Sequence, residues 1–492
     1  AVIAMALCVF AAIVPGDADA ADPSTAVAEI NGVTYASLQQ AEDAAANGDV
    51  IIIQSDFSTS EPIHLDSGKN ITLDLNGHEI SGIGAEKYTI IIENGTELTV
   101  TDSGDGGSIT SVYRVIKVGS ATLSSTGTPA SLVMDGGTLE SYYSSDHCAI
   151  AAYANNTVNR NGNSSVSCDV TINKATVIGG IYIFGEGATI TVNDGAYIEA
   201  TDTYAISGNG TNNNSQNNGD TVITITGGTI NQIGDDGAAI YHPQNGVLTI
   251  TGSPMITGSV GIQLCSGEGT ITTISGGTVH AFGPDGRESK TGDGFIPDGG
   301  AISIVDRNYP GGTPQMKISG GTFISEETEA LMAYTWSNNS SSEWANAKNY
   351  IEVTGGLFSS DVSDYCPEDY SCIPIGNQYS IGKTQVPDES GTVVSDTTEA
   401  VVENTGLSAD IILQTGSVSI SSTGGNQLGN MSVSIVDNSE NAVDDSIARY
   451  EIDIVVGSDI TYRAEITVPA AIPSGYQPLM YYIDDAGELR PV

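Results

Sequence analysis

The stretch "TVITITGGTINQ", residues 221–232, decides the fold. Ile223 and Ile225 alternate with Val222 and Thr224, the period of a strand with one buried face. Gly227-Gly228 then supplies backbone conformations that a Cβ would hinder at a sharp corner, and Thr229-Ile230 begins a second short strand. The phrase returns as "DGGSIT" at 105, "VMDGGTLES" at 133, "TINKATVIG" at 171, "TVNDGAYIEA" at 191, "TITGSPMITG" at 249, "TISGGTVHA" at 273, "KISGGTFIS" at 317 and "EVTGGLFSS" at 352. Aligned on the second small residue, copies lie roughly 20 to 45 residues apart, the range of solenoid repeats.

A second phrase, a small residue followed by an aliphatic one, falls between most copies: "CAIAAY" at 148, "GGIYIF" at 179, "YAISG" at 204, "AAIYHP" at 238, "VGIQLC" at 260, "GAISIV" at 300 and "EALMAY" at 329. Three short strands per unit predict an all-β chain folded as a parallel β-helix. Each strand would bond to its equivalent one coil away, about 4.8 Å along the axis, with ladders of Ile, Val and Leu inside. An open coil end needs a cap, and "TYASLQQAEDAAANG" (34–48) predicts a helix for it. Ser37 and Gln40 have capping-box spacing, Leu38, Ala41 and Ala45 share one face, and Gly48 is a stop signal. The expected units are a cap at 21–48 and the β-helix at 49–384. A polar linker at 385–403 and a small β-sandwich at 404–492 follow, the latter read from alternating segments such as "GSVSIS" and "MSVSIVD". Its last segment, "LMYYIDDAGELRPV", predicts a hairpin turning at Asp484-Asp485-Ala486-Gly487.

Composition agrees with short strands and many turns: 59 glycines in 492 residues, with aromatics at 6% and charged residues at 15%. Sixty acidic residues against 15 basic ones give a formal charge of -45, which repels nucleic acid and excludes it as a partner. The apolar run Ala1–Val14 is too short to span a bilayer and is followed by Ala18-Asp19-Ala20. It reads as the end of a secretory signal, residues 1–20, cleaved after Ala20. Secretion or a place on the cell surface, as a monomer, is the expected setting. Of the cysteines beyond the signal, Cys366 and Cys372 are close enough in sequence to bridge. Cys148 and Cys168 would meet only if they sit on adjacent turns, and no Cys-x-x-Cys metal spacing occurs.

The succession "INGVTYASLQQAEDAAANGDVIII", "KNITLDLNGHEISG", copies of "ITGGTI" and the exit "GGLFSSDVSDYCPEDYSC" resembles the secreted right-handed β-helix proteins of the pectate-lyase-like superfamily. It is similar to the adhesin-like surface proteins of gut and other anaerobic bacteria. The resemblance covers roughly residues 28–384 and implies a right-handed coil. Polygalacturonase-type members share Asn-Thr-Asp, Asp-Asp, Gly-His-Gly and Arg-Ile-Lys motifs. This chain has Asp235-Asp236, but Gly77-His78 is followed by Glu79 and comes early, and Arg114-Val115-Ile116-Lys117 is one residue too long. Pectate-lyase-type members use a catalytic Arg or Lys beside calcium-binding carboxylates, and here Arg287 and Lys290 are the only basic pair in a large loop. No catalytic set is assembled.

The cluster Asp74, His78 and Glu79 invites an acid/base reading. Ile71, Leu73 and Leu75 must face the core, however, so Asp74 faces out or helps turn the corner at Asn76-Gly77, and the cluster reads as structural. Loops inserted at one point of successive coils project from one edge. On that alignment Tyr142, Tyr143, Asp146, His147, Asp202, Tyr204, Asp235, Asp236, Asp285, Arg287, Lys290, Asp293 and Asp298 form a polar strip able to take an extended ligand. Aromatic faces stack on sugar rings and carboxylates bond hydroxyls, so an extracellular glycan or another surface component is the expected partner. The competing reading is that the loops are polar because they face water. No cofactor is expected. Calcium between acidic loops is the one alternative, although no loop has EF-hand spacing. The sequence therefore points to a non-catalytic adhesin or stalk. A polysaccharide lyase or glycoside hydrolase is the alternative, and a hydrolase would need carboxyls about 5 to 10 Å apart.

Overall fold

The structure is a computed structural model that describes residues 26–65, 68–84, 88–119, 128–142, 148–154, 167–185, 187–201, 203–208, 221–265, 270–288, 291, 294–306, 314–335, 350–375, 377–385, 392–395, 398–437, 450–456, 462–468, 481–483 and 489–491. The segment read as a secretory signal lies outside them.

From Val50 to Ile250 each strand pairs in parallel with the strand three places further along the chain, and from Met255 to Ser325, where first and second strands run together as Ile271–Ala281 and Gln315–Ser325, with the strand two places further. Asn70–Asp74 pairs with Glu97–Thr101, Glu79–Gly82 with Ser108–Ser111, and Tyr88–Ile92 with Arg114–Val118. One turn therefore holds a first, a second and a third strand, and the third strands alone build a ten-stranded sheet from Ile63–Leu65 to Leu331–Thr335. These long parallel sheets are compatible with a parallel β-helix.

Register converts the sequence repeat into a core. In the third strands Ile63, Ile90, Ile116, Ile150, Ile181, Ile206, Ile240, Ile262, Ile302 and Leu331 stand in one row across ten coils. In the second strands Ile198 stands between Val177 and Ile230, all fully buried. The first-strand row Ile223, Leu248, Thr272, Met316 is broken only by the buried Thr272. A one-residue slip would turn every one of these side chains to water, so register is strongly held.

The Gly-Gly corners behave as their chemistry demands. Gly137, Gly228 and Gly277 have φ of +76°, +80° and +81°. At Gly228 a Cβ would lie 2.7 Å from the Ala196 carbonyl oxygen and 2.9 Å from that of Asn193, on the preceding coil. Glycine is required there by both conformation and space.

A helix, Leu38–Ala44, begins where Ser37 accepts a hydrogen bond from the Gln40 amide at 3.2 Å. Leu38, Ala41 and Ala45 join the coil core, and Gly48 has φ +90°. Parallel stacking stops at Ile351–Phe358, which pairs antiparallel with Gln378–Gln385; that strand pairs antiparallel with Tyr370–Ile375.

The stretch 385–403, expected to be a linker, contains Thr392–Val394 and most of Glu399–Thr405. Val393, Ala400, Val401 and Val402 are buried. One sheet (Thr392–Val394, Ser408–Leu413, Gly416–Ser422, Tyr462–Thr467) and the strands Glu399–Thr405, Gly429–Asp437 and Tyr450–Val456 share a second apolar core that includes Ile411, Val418, Met431 and Val433. Tyr481–Ile483 pairs antiparallel with Leu489–Pro491, and the turn between them lies outside the described residues.

Candidate functional site

The polar strip expected from loop alignment is divided by the structure. Tyr143, Asp146, His147, Asp202, Lys290 and Asp293 lie outside the described residues. Tyr142, after the second strand Thr138–Ser141, is 60% exposed, and Asp235, Asp236 and Asp285 are exposed. Arg287 donates to both oxygens of Asp285, at 2.9 and 3.1 Å from Nε and 2.6 Å from Nη2, and lies 3.6 Å from Glu329. That pairing holds the Asp285 carboxyl below its ordinary range. Among the described residues the ion pairs of Arg287 are with Asp285 and Glu329.

Two members of the expected strip are buried instead. Tyr204 stands first in its strand, Tyr204–Gly208, and is buried. Its ring meets Tyr241 at 4.8 Å and the edge of Phe295 at 5.4 Å. Asp298 is fully buried. Both corrections have one cause. The excursion between Ala281 and Ile302 folds back on the outer face of the third-strand sheet, where Phe295 and Ile296 pack on Tyr204, Ala238, Tyr241, Val260, Cys265 and Val305. Burying an isolated carboxylate is expensive unless its lone pairs are used. Asp298 Oδ1 accepts from the Ser303 hydroxyl at 2.7 Å and the Gly300 amide at 3.1 Å. Its Oδ2 accepts from the Tyr334 hydroxyl at 2.7 Å and Gln263 Nε2 at 3.2 Å. Burial still pushes its pKa up to about 6, the hydrogen bonds offsetting only part of the cost. Asp298 is thus an anchor for the excursion, out of reach of any external ligand.

The acid/base reading of residues 69–82 fails on the same kind of geometry. Asp74 Oδ1 accepts from the amides of Asn76 (3.0 Å) and Ser103 (2.8 Å), spanning two coils at the corner where Asn76 and Gly77 have φ of +49° and +77°. Burial would raise its pKa, but the bonds from Ser103 and Asn76 outweigh that and leave it lowered. His78 Nδ1 lies 3.0 Å from Asp56 Oδ1, which also accepts from the Glu79 amide. Asp74, His78 and Glu79 each fasten one coil to the next, through Ser103, Asp56 and Thr110.

What the structure does assemble is an aromatic and cationic cluster that the loop alignment missed. It lies on the outward positions of the third strands Tyr88–Ile92, Arg114–Val118, Ile150–Ala154 and Ile181–Gly185, where inward isoleucines leave the alternate residues facing out. Tyr153 and Phe184, opposite each other in register, stack with centroids 4.3 Å apart and planes 3° apart, and Tyr182 leans on Phe184 at 4.3 Å. The Arg114 guanidinium lies 4.9 Å from the Phe184 centroid and donates to the hydroxyls of Tyr88 (3.0 Å) and Tyr153 (3.3 Å). Lys117 Nζ lies 5.3 Å from the Tyr153 centroid and 5.9 Å from that of Tyr88. Arg114 is buried, whereas Tyr88, Lys117, Tyr153, Tyr182 and Phe184 are half-buried. Burial pushes the Tyr88 hydroxyl's pKa up, so it stays a neutral donor. The signal was legible: in "GGIYIFG" Ile181 and Ile183 point in, so Tyr182 and Phe184 must point out.

Among the described residues no group of three or more His, Cys, Asp or Glu side chains is placed to hold a metal ion, and no helix is long and apolar enough to cross a membrane. Compared with models of known protein families and with curated proteins, the chain matches none.

Proposed function

We propose that this chain is a secreted or cell-surface right-handed parallel β-helix with a capping helix at its start and a β-sandwich at its end. It acts without catalysis, as an adhesin or stalk that contacts extracellular glycans. One observation carries the reading: Tyr88, Tyr153, Tyr182 and Phe184 share one outer face with Lys117 and Arg114. Pyranose rings present C–H faces that pack on aromatic surfaces, and ammonium and guanidinium groups donate to sugar hydroxyls. A stacked ladder repeating at the coil spacing suits a chain of sugars running along the axis. The ladder also helps hold neighbouring coils together, a role that glycan contact does not displace.

The test is retention of the full chain on a panel of immobilised neutral and acidic polysaccharides, with free reducing ends measured in the same reactions. Retention is expected without release of ends, and it should weaken about tenfold, the equivalent of about 1.4 kcal/mol, in Tyr182→Ala. Retention that ignores Tyr182→Ala and Lys117→Ala, or no retention at all, would remove the assignment to this face. New reducing ends would establish the lyase or hydrolase alternative.

A further inference from the structure

The coil stack ends at Phe358. The chain then passes through a short 3-10 turn, Ser363–Tyr365, and returns as the hairpin Tyr370–Ile375 and Gln378–Gln385, whose second strand pairs with the last coil. This exit is where a solenoid is most exposed to fraying, because beyond it no further coil satisfies the backbone. Two cysteines sit on it. Cys366 directly follows the turn and Cys372 lies on the first hairpin strand, opposite Ile381.

Their sulfurs converge on one pair of neighbouring residues. Cys366 Sγ is 3.7 Å from the Val362 carbonyl oxygen, and Cys372 Sγ is 3.4 Å from Asp361 Oδ1. The two thiols are thereby neighbours, and each shifts the pKa of the other. Both side chains are half-buried and pack on the edge of the main core. Cys148, Cys168 and Cys265 are by contrast buried at 0 to 2% exposure, where a soluble oxidant does not reach them.

We infer that Cys366 and Cys372 form a disulfide that staples the exit hairpin to the turn beneath it. The chemistry balances with a small-molecule disulfide such as oxidised glutathione as the oxidant. The Cys366 thiolate attacks one sulfur of glutathione disulfide and displaces the first glutathione thiolate. Cys372, losing its proton beside Asp361, then attacks the Cys366 sulfur and displaces the second. Two protein thiols are oxidised, one disulfide is reduced to two thiols, and the two protons pass to the departing thiolates. The order follows from the surroundings. The neighbouring Cys372 thiol holds the pKa of Cys366 below its ordinary value, whereas Cys372, beside Cys366 and hydrogen-bonded to the Asp361 carboxylate, is raised and is the later nucleophile. The bridge closes a ring of residues 366–372. It goes beyond the glycan reading and stands or falls separately from it.

The experiment is to incubate the purified full chain with oxidised glutathione, unfold it, alkylate all free thiols and digest with a protease that cuts after Glu368, inside the ring. The expected product is a pair of peptides joined through Cys366 and Cys372, 2 Da lighter than the sum of the two reduced peptides, with Cys148, Cys168 and Cys265 alkylated. In Cys372→Ser, Cys366 should be trapped as the glutathione adduct, and in Cys366→Ser the adduct at Cys372 should form more slowly. A reductant should lower the melting temperature of the oxidised wild type by several degrees and leave the Cys366→Ser/Cys372→Ser double variant unmoved. Alkyl groups or separate glutathiones on both residues of the wild type, or a bridge from either to a different cysteine, would overturn the inference.

Discussion

Gly106→Ala and Gly228→Ala, made separately, test whether the corners are glycine for conformation alone or also because the coils approach so closely. The two positions have similar backbone angles, φ +93° and +80°. They differ in space: a Cβ at Gly106 meets nothing within 4 Å, whereas at Gly228 it meets carbonyl oxygens at 2.7 and 2.9 Å. Placing alanine in the left-handed region costs about 1–2 kcal/mol at either site. At Gly228 the preceding coil must also move, and forcing atoms into a filled site adds about 1–3 kcal/mol. Gly106→Ala should therefore cost about 1–2 kcal/mol and Gly228→Ala about 2–5 kcal/mol. Because each coil contacts only its neighbours, the losses are read locally, by native-state hydrogen exchange. The amides to follow are those of Glu79–Gly82 and Ser108–Ser111 for the first variant, and of Tyr197–Ala200 and Thr229–Gln232 for the second. The inter-coil contact should appear as roughly 5- to 160-fold faster exchange in Gly228→Ala than in Gly106→Ala, both relative to wild type. Equal acceleration would refute the reasoning, since it would mean that the carbonyls of Asn193 and Ala196 yield without cost.

Two further outcomes follow from buried groups. Asp298 has a folded pKa of about 6 against an ordinary 3.8, so it adds stability below about pH 4 that is lost as pH rises through 6. His242, fully buried with both ring nitrogens lacking a hydrogen-bond partner among the described residues, is lowered by burial from 6.5 to about 4. Its contribution is present above pH 6.5 and lost as pH falls through 4. The two slopes oppose each other, so the melting temperature of Asp298→Asn should fall relative to wild type between pH 7 and 4.5, and that of His242→Leu should rise. Parallel curves for all three proteins would contradict both assignments. Phe295→Ala, which removes the ring seated against Tyr204 and Tyr241, should cost about 3–5 kcal/mol locally. Exchange should accelerate across 294–300 while the isoleucine row beneath, at Ile206 and Ile240, stays protected.

The coil was legible in the sequence because its determinants are local and repeated. A corner such as Gly227-Gly228 states its own backbone requirement, and the strand on either side states its own period, so nine imperfect copies reinforce one reading. The candidate site was not legible in the same way. Loop alignment assumes that the residues after each corner face water, and it therefore placed Tyr204 and Asp298 beside Asp285 and Arg287. Only the return of Phe295 and Ile296 over the sheet, a contact between segments far apart in the chain, makes that placement fail. The aromatic face could have been reached from the sequence by asking which residues the third strands put outward once their isoleucines are assigned inward. That question gives Lys117, Tyr153, Tyr182 and Phe184 from alternation alone, whereas Tyr88, two residues before the inward Ile90, stands outside only because alternation breaks there, as at its partner Arg114. In "RVIK" it also shows why one extra residue matters: Val115 and Ile116 both enter the core, and Arg114 and Lys117 emerge on the same side as the rings. In a chain with four times as many acidic as basic residues, two cations meet on this one aromatic face, and of the two only Lys117 is half-exposed, since Arg114 is buried against the hydroxyls of Tyr88 and Tyr153 on the coils to either side.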